Sequence, residues 1–131
     1  MKTHKIADAV AGLVGVGIIA IGTRFLLAPG KAAAGFGVAP PTDTDPYLAV
    51  KGVRDIGSGL VLLALLASGQ RRAVGVTLLA ASAIPIGDAL VVLDHHGSPA
   101  TAYGVHGATA AIMLAAAGTL VRPVAPSARK G

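Results

Sequence analysis

The chain has 131 residues, of which 53% are hydrophobic and only 13% are charged. A soluble domain of this length cannot bury so much apolar surface, so the composition predicts an integral membrane protein whose residues 1–131 form one domain. The absence of cysteine excludes disulfides, a thiol nucleophile and a thiolate metal site.

The net charge of +5 does not indicate a nucleic-acid-binding protein. Aromatic residues make up only 3% of the chain, which leaves little to stack on bases. The basic residues are scattered at the ends of apolar segments, and loops enriched in Lys and Arg on one side of a membrane explain the excess better. We therefore expect the lipid bilayer, and no nucleic acid, as a partner.

Four apolar segments are each long enough to cross a bilayer, at about residues 6–28, 46–68, 73–93 and 99–121. Pro29-Gly30 ends the first, and Asp45-Pro46 and Ser98-Pro99 provide a capping side chain and a first-turn proline for the second and fourth. Because lipid cannot satisfy backbone groups, the segments must be helical. The sequence predicts an all-α bundle of four transmembrane helices, in which Pro85 frees the carbonyl of Ala81 and kinks the third.

Basic residues are concentrated on one side of these four spans. The predicted cytoplasmic side carries seven of them: Lys2, Lys5, Arg71, Arg72, Arg122, Arg129 and Lys130. The loops of the other side carry Lys31, with Asp43, Asp45 and Asp94. This asymmetry predicts a multi-pass protein of the plasma membrane with both termini in the cytoplasm.

The first segment could alternatively be a signal peptide cleaved near Ala32-Ala33-Ala34. Its apolar stretch is longer than the usual signal core, and Arg24 interrupts its end. We therefore expect the segment to be retained as a helix.

Polar residues of all four segments fall at one depth. His106 lies seven residues inside Pro99, which is about 10 Å at 1.5 Å per residue, and the others lie at similar depths in the same half of the bundle: Arg24, Lys51, Arg54, Asp55 and Asp88. A charge in hydrocarbon is costly unless it is paired or faces water. The pattern predicts one polar pocket that opens outward.

Within this pocket, Asp88, His106 and Asp55 are the candidate catalytic acid–base residues, since burial and charged neighbours can tune such groups towards neutral pH. The candidate ligand-binding residues are Lys51, Arg54, Arg24 and Tyr103. Lys51 and Asp55 share a helix face at i,i+4, and Tyr103 and His106 are expected to share one at i,i+3. In the structural alternative, Arg54 pairs with Asp88, and Asp55 with Lys51 or His106, to hold the bundle together.

Other patterns carry weaker predictions. Asp94, His95, His96 and His106 could supply metal ligands, but adjacent histidines do not share a helix face and no HxxxH spacing is present, so we expect no metal and no cofactor. Asp8 is expected to pair with Lys5 or with water. The segment from Pro29 to Asp45 is expected to be a long loop, either a lid over the pocket or a flexible connector.

Small residues repeat every four positions on the first and fourth segments, at Ala7, Ala11 and Gly15 and at Gly107, Ala111 and Ala115. Such spacing allows two helix backbones to approach closely, so it predicts that the first helix packs against the fourth.

Three motifs carry a resemblance to a known family: Lys51-Gly52-Val53-Arg54-Asp55, Pro85-Ile86-Gly87-Asp88 and Gly104-Val105-His106-Gly107-Ala108. They resemble a family of small four-helix bacterial membrane proteins that carries only a "domain of unknown function" label. Phe25-Leu26-Leu27-Ala28-Pro29, followed by Phe36-Gly37-Val38, is similar to the broader DoxX-like membrane proteins. The resemblance implies a membrane location and a four-helix fold, and it implies no reaction.

Three functions remain open on the sequence. The pocket favours binding or conversion of a lipophilic small molecule by acid–base chemistry. An accessory subunit of a membrane complex, as a homo- or hetero-oligomer, fits a structural ion-pair network equally well. A small proton-coupled transporter fits less well, because the cytoplasmic half lacks matching polar residues.

Overall fold

The computed structural model describes residues 2–40 and 46–122, and these residues are helical with short connections. The elements are α1 (Lys2–Leu27), α2 (Pro29–Phe36), α3 (Pro46–Ala67), α4 (Arg71–Ala81), α5 (Ala83–Asp94), α6 (Pro99–Thr101), a π-helical turn (Ala102–Gly107) and α7 (Ala108–Val121). No strand occurs in these described residues. The prediction of an all-α protein is confirmed.

Three helical stretches are long and apolar enough to cross a membrane. They are Lys2–Leu27, Arg71–Asp94 and Pro99–Val121. The helix α3 has a similar length of 22 residues, but Lys51, Arg54 and Asp55 lie close together in it and lower its apolar character. That α3, the second predicted segment, crosses the membrane as a fourth span therefore remains a prediction.

Helices α1 and α3 run antiparallel and touch through glycines. Gly15 lies opposite Gly59, and Gly22 lies opposite Gly52. A Cβ atom on Gly22 would lie 2.5 Å from the carbonyl oxygen of Gly52, and one on Gly59 would lie 2.5 Å from that of Gly15. Only glycine permits this backbone separation, so these residues determine which face of α3 meets α1.

The apolar core joins α1, α4 and α7, and Leu62 of α3 is also buried in it. Ala7 and Ala11 are buried in the core that α1 shares with α7, as the first small-residue ladder predicts, whereas buried Gly15 meets α3 instead. The second ladder is wrong, because Ala111 and Ala115 are exposed and the core-facing residues of α7 include Met113 and Ala117. The π-helical turn before α7 adds a residue to one turn, and this shifts the face that the following residues present to the core.

The helical stretch Arg71–Asp94 is interrupted, as Pro85 predicts. Helix α4 ends at Ala81, four residues before the proline, and α5 begins at Ala83. Between them the Ser82 hydroxyl donates a hydrogen bond to the carbonyl of Leu79 at 2.7 Å. Buried Pro85 has no amide hydrogen to donate to the carbonyl of Ala81, so the series of helical hydrogen bonds is interrupted at this point.

Part of the predicted long loop is a helix. Pro29 occupies the first turn of α2, where a missing amide hydrogen does no harm. The helix ends at Gly37, which has a positive φ of 102° and donates its amide hydrogen to the carbonyl of Ala34. The carbonyl of Gly37 accepts a hydrogen bond from the amide of Ser98 at 3.0 Å, which ties α2 to the start of α6. Residues 41–45 of the predicted loop lie outside the described residues.

At the opposite end of the bundle, Asp8 forms an ion pair with Arg71, with 2.6 Å between carboxylate oxygen and Nη2. The prediction that Asp8 pairs with Lys5 is wrong, and its pairing with water stays a prediction. Asp8 lies on the side of α1 that meets the beginning of α4, and Lys5 is exposed.

Candidate functional site

His106 lies at the centre of the predicted site, on the π-helical turn between α6 and α7. Its side chain is buried, and Nε2 lies 2.9 Å from the carbonyl oxygen of Phe36 at the end of α2. A carbonyl oxygen only accepts hydrogen bonds, so Nε2 carries the hydrogen. The Phe36 ring packs against the imidazole with 4.5 Å between ring centroids. These contacts fix both the orientation and the tautomer of the ring.

The other imidazole nitrogen faces a carboxylate. Nδ1 of His106 lies 4.0 Å from Oδ2 of Asp88, which belongs to α5. This separation is too long for a direct hydrogen bond. In the neutral ring the Nδ1 atom has a lone pair, and when protonated it faces an anionic partner.

An ion pair lies beside His106 and Asp88. Nζ of Lys51 lies 2.8 Å from Oδ2 of Asp55, one helical turn further along α3. The ammonium group also lies 4.9 Å from the ring centroid of Phe25 and 5.3 Å from that of Phe36, within the range of cation–π attraction. The aromatic rings therefore cover the side of the lysine that the carboxylate leaves open.

The two pairs form one polar cluster, which we define as Lys51, Asp55, Asp88 and His106. Phe36 touches both Lys51 and His106, and it therefore places the two pairs side by side. The structure thus gathers four of the seven candidate residues from three helical stretches.

A model of the family described as "Domain of unknown function (DUF4267)" matches residues 15–120. The chain belongs to the DUF4267 family. The match includes the whole polar cluster, together with Phe25 and Phe36, and leaves out Asp8. No protein among the curated ones and no solved structure matches the chain.

Three candidate residues of this DUF4267 chain lie apart from the cluster. Arg24, Arg54 and Tyr103 are all exposed. The expectation that Arg54 contacts one of the two aspartates is wrong: among the described residues Asp55 pairs with Lys51, and Asp88 faces His106. The glycine contacts turn Arg54 away from α1.

The prediction that Tyr103 and His106 share a helix face is also wrong. Tyr103 is 68% exposed, whereas His106 is 8% exposed. The i,i+3 rule applies to an α-helix, and both residues lie in the π-helical turn, whose wider turns separate positions that an α-helix would align.

The two phenylalanines were not among the predicted site residues. The sequence contains only Phe25 and Phe36 of this type, and both lie against the polar cluster, with 6.4 Å between their ring centroids in an edge-to-face arrangement. Phe25 and Phe36 begin and end one 12-residue interval of the sequence. This closeness was the signal from which their shared location could have been predicted. Phe36 occupies the space between Lys51 and His106, where the sequence analysis expects an open pocket.

The residues considered for a metal site do not come together. His95 is exposed, and its Nδ1 lies 3.0 Å from the Val91 carbonyl of its own helix. Within residues 2–40 and 46–122, no group of three or more His, Asp or Glu side chains could hold a metal ion. The absence of a metal or cofactor from the function remains a prediction.

Proposed function

We propose that the protein is a four-span membrane protein of the plasma membrane with both termini in the cytoplasm. Helix α3 is about 33 Å long at 1.5 Å per residue, which is enough to cross a hydrocarbon core of about 30 Å. It packs along α1 through two glycine contacts, so an α1 that crosses the bilayer carries α3 with it. Lys51 and Asp55 neutralise each other, which lowers the free-energy cost of placing this helix in lipid. The orientation follows from the Lys and Arg asymmetry.

The proposed function is binding or conversion of a lipophilic small molecule by acid–base chemistry. The observation that carries it is the position of His106, whose Nε2 is held by the Phe36 carbonyl while Nδ1 faces Asp88 at 4.0 Å. A base held by one nitrogen and free at the other can take a proton from a bound molecule. Asp88 then faces the imidazolium that forms and stabilises its charge.

The remaining candidates have supporting roles in this proposal. Lys51 and Asp55 form a polar wall against which a carbonyl or hydroxyl group of the ligand could bind. The Phe36 ring fills part of the site, so a ligand enters only when that ring rotates away from His106, while the Phe36 backbone carbonyl keeps its hydrogen bond to Nε2.

This function is tested by identifying the lipophilic molecules that co-purify with the protein. The full-length wild type, Asp88→Asn and His106→Gln are extracted in mild detergent, and bound small molecules are identified by mass spectrometry. Asp94→Asn is the matched control, because it removes the same charge from an exposed position on α5. We expect a lipophile in the wild type and the control that is lost from Asp88→Asn and His106→Gln, with little change in Tm.

An accessory-subunit function is the second candidate, and one observation favours it. Lys51, Asp55 and the two aromatic rings already satisfy one another, as a purely structural cluster would. Large falls in Tm for both Asp88→Asn and His106→Gln, with no ligand in the wild type, would support this function instead. The DoxX-like resemblance is compatible with either function and assigns no reaction.

A further inference from the structure

The face of α3 that points away from α1 carries an unpaired cation. Gly52, Ile56 and Gly59 face α1, and Arg54 lies on the opposite side of the helix. Arg54 is exposed, and it forms no ion pair with any residue in the described part of the chain. An arginine at this depth needs an anionic or polar partner from outside the protein.

The neighbours of Arg54 on this face change character along the helix axis. Tyr47 and Val50 lie on the outer side of Arg54, and they are 77% and 42% exposed. Gly57 and Val61 lie about 4.5 Å and about 10 Å further towards the bilayer centre. A Cβ atom on Gly57 would meet no other atom within 4 Å, so the helix surface is open there, and Ser58 beside it is exposed. The charge is therefore followed, in the inward direction, by an uncovered stretch of helix that ends at the apolar side chain of Val61.

The helix direction places the guanidinium group nearer the membrane surface than the Arg54 backbone. Side chains on an α-helix tilt towards its N-terminus, and α3 begins at its outer end. Arginine in such a position extends towards the headgroup region, where tyrosine side chains such as Tyr47 are also enriched.

We propose that this face of α3 binds one phospholipid of the outer leaflet. Arg54 donates hydrogen bonds to the phosphate, and one acyl chain lies over Gly57 and against Val61. A carboxylate on a partner helix is the competing occupant. The order of charge, open helix surface and apolar side chain along the helix matches the order of phosphate and acyl chain in a lipid, and a partner helix would not require that order. The proposal rests on the span that we proposed for α3, and it is independent of the acid–base chemistry.

Native mass spectrometry of the full-length protein in detergent tests the binding. The probes are phosphatidylglycerol with two oleoyl chains and dioleoylglycerol, which has the same chains and no phosphate. We expect Arg54→Gln to weaken phosphatidylglycerol binding about tenfold, because one charge-assisted hydrogen-bonding group is lost. Arg54→Lys should restore part of the affinity. Arg72→Gln, which removes an exposed arginine elsewhere, should bind as the wild type does, and dioleoylglycerol should not distinguish wild type from Arg54→Gln.

Two results would overturn the proposal. One is equal binding of phosphatidylglycerol by Arg54→Gln and the wild type. The other is conversion of an oligomer to a monomer by Arg54→Gln with lipid binding unchanged, which would identify a partner helix as the occupant. Asp88→Asn should leave phospholipid binding intact. A failure of the proposed acid–base function can therefore be distinguished from a failure of the lipid-binding proposal. The premise that α3 crosses the bilayer is tested with Val61→Cys in sealed vesicles. Protection of this cysteine from a water-soluble maleimide would support the premise, and rapid labelling would contradict it.

Discussion

Nε2 of His106 donates a hydrogen bond to the carbonyl of Phe36, although the two residues are 70 positions apart in the chain. The bond joins the end of α2 to the π-helical turn before α7. It also restricts the free nitrogen of the imidazole to the side that faces Asp88. The first prediction tests this contact directly.

Replacing His106 by Leu should destabilise the protein more than replacing it by Gln. Leu leaves the Phe36 carbonyl without a donor, which costs about 1–3 kcal/mol, whereas the amide of Gln can replace Nε2–H. The measurement is the free energy of unfolding or Tm in detergent, with the exposed His95→Leu as control. Equal stability of the Leu and Gln variants would contradict the role of the bond.

The two aspartates of the polar cluster should respond differently to neutralisation. Asp55→Asn leaves the Lys51 ammonium without its carboxylate, and because this pair is still 29% and 17% exposed we expect a loss of about 1–2 kcal/mol. Asp88→Asn breaks no direct hydrogen bond to His106 at 4.0 Å and should cost less than about 1 kcal/mol. Unfolding curves of the two variants beside wild type provide the comparison, and the reverse order of stabilities would show that Asp88 is the structural partner.

Alanine at the α1–α3 contact should be destabilising. Gly22→Ala and Gly52→Ala each place a Cβ within 2.7 Å of a backbone carbonyl oxygen, and such overpacking costs about 1–3 kcal/mol. Gly57→Ala on the same helix meets no atom within 4 Å, so it should be neutral or slightly stabilising through helix propensity. Comparable Tm values for Gly52→Ala and Gly57→Ala would argue against the close approach of the two helices.

Phe36→Ala should uncover Lys51. The phenylalanine ring lies 5.3 Å from Nζ, and its removal opens the ammonium group to solvent. Acylation by a water-soluble reagent, quantified by mass spectrometry, should therefore be faster at Lys51 in the variant. Lys31 is exposed in the wild type and serves as the internal control, since its labelling should not change. An unchanged rate at Lys51 would mean that Phe36 does not cover the cluster.

The absence of cysteine makes the topology simple to test, because each introduced cysteine is the only thiol in the protein. We expect Ser98→Cys to react with an impermeant maleimide in intact cells. Ser68→Cys, at the other end of the bundle, should react only after permeabilisation. Labelling in the opposite order would invert the proposed orientation.

Features that depend on one helix alone were predictable from the sequence. The i,i+4 spacing predicted that Lys51 and Asp55 share a face, and Pro85 predicted the break at Ser82. These outcomes follow from helix geometry and from the missing amide of proline.

Features that depend on how helices meet were not predictable in the same way. Arg54 and Lys51 were equal candidates to pair with an aspartate until the glycine contacts with α1 decided which face of α3 turns inward. The π-helical turn has no simple sequence signature, so the separation of Tyr103 from His106 could not be foreseen. Helix α2 is held in place by the contacts that Phe36 makes with His106 and Gly37 makes with Ser98. The composition of this Ala- and Gly-rich segment does not reveal such contacts.

Ser98 has two connections that position the site from one loop. Its amide binds the Gly37 carbonyl at the end of α2, and its side chain accepts a hydrogen bond from the amide of Thr101 at the start of the helical stretch that carries His106. The neighbouring Gly97 donates its amide hydrogen to the Val92 carbonyl at 2.7 Å, near the end of the helix that carries Asp88. The histidine, the carbonyl that it binds and the carboxylate that it faces are thus all tied to residues 97–98. A substitution that displaces this short connection would therefore disturb all three groups together, so the connection is a common fixing point for the cluster.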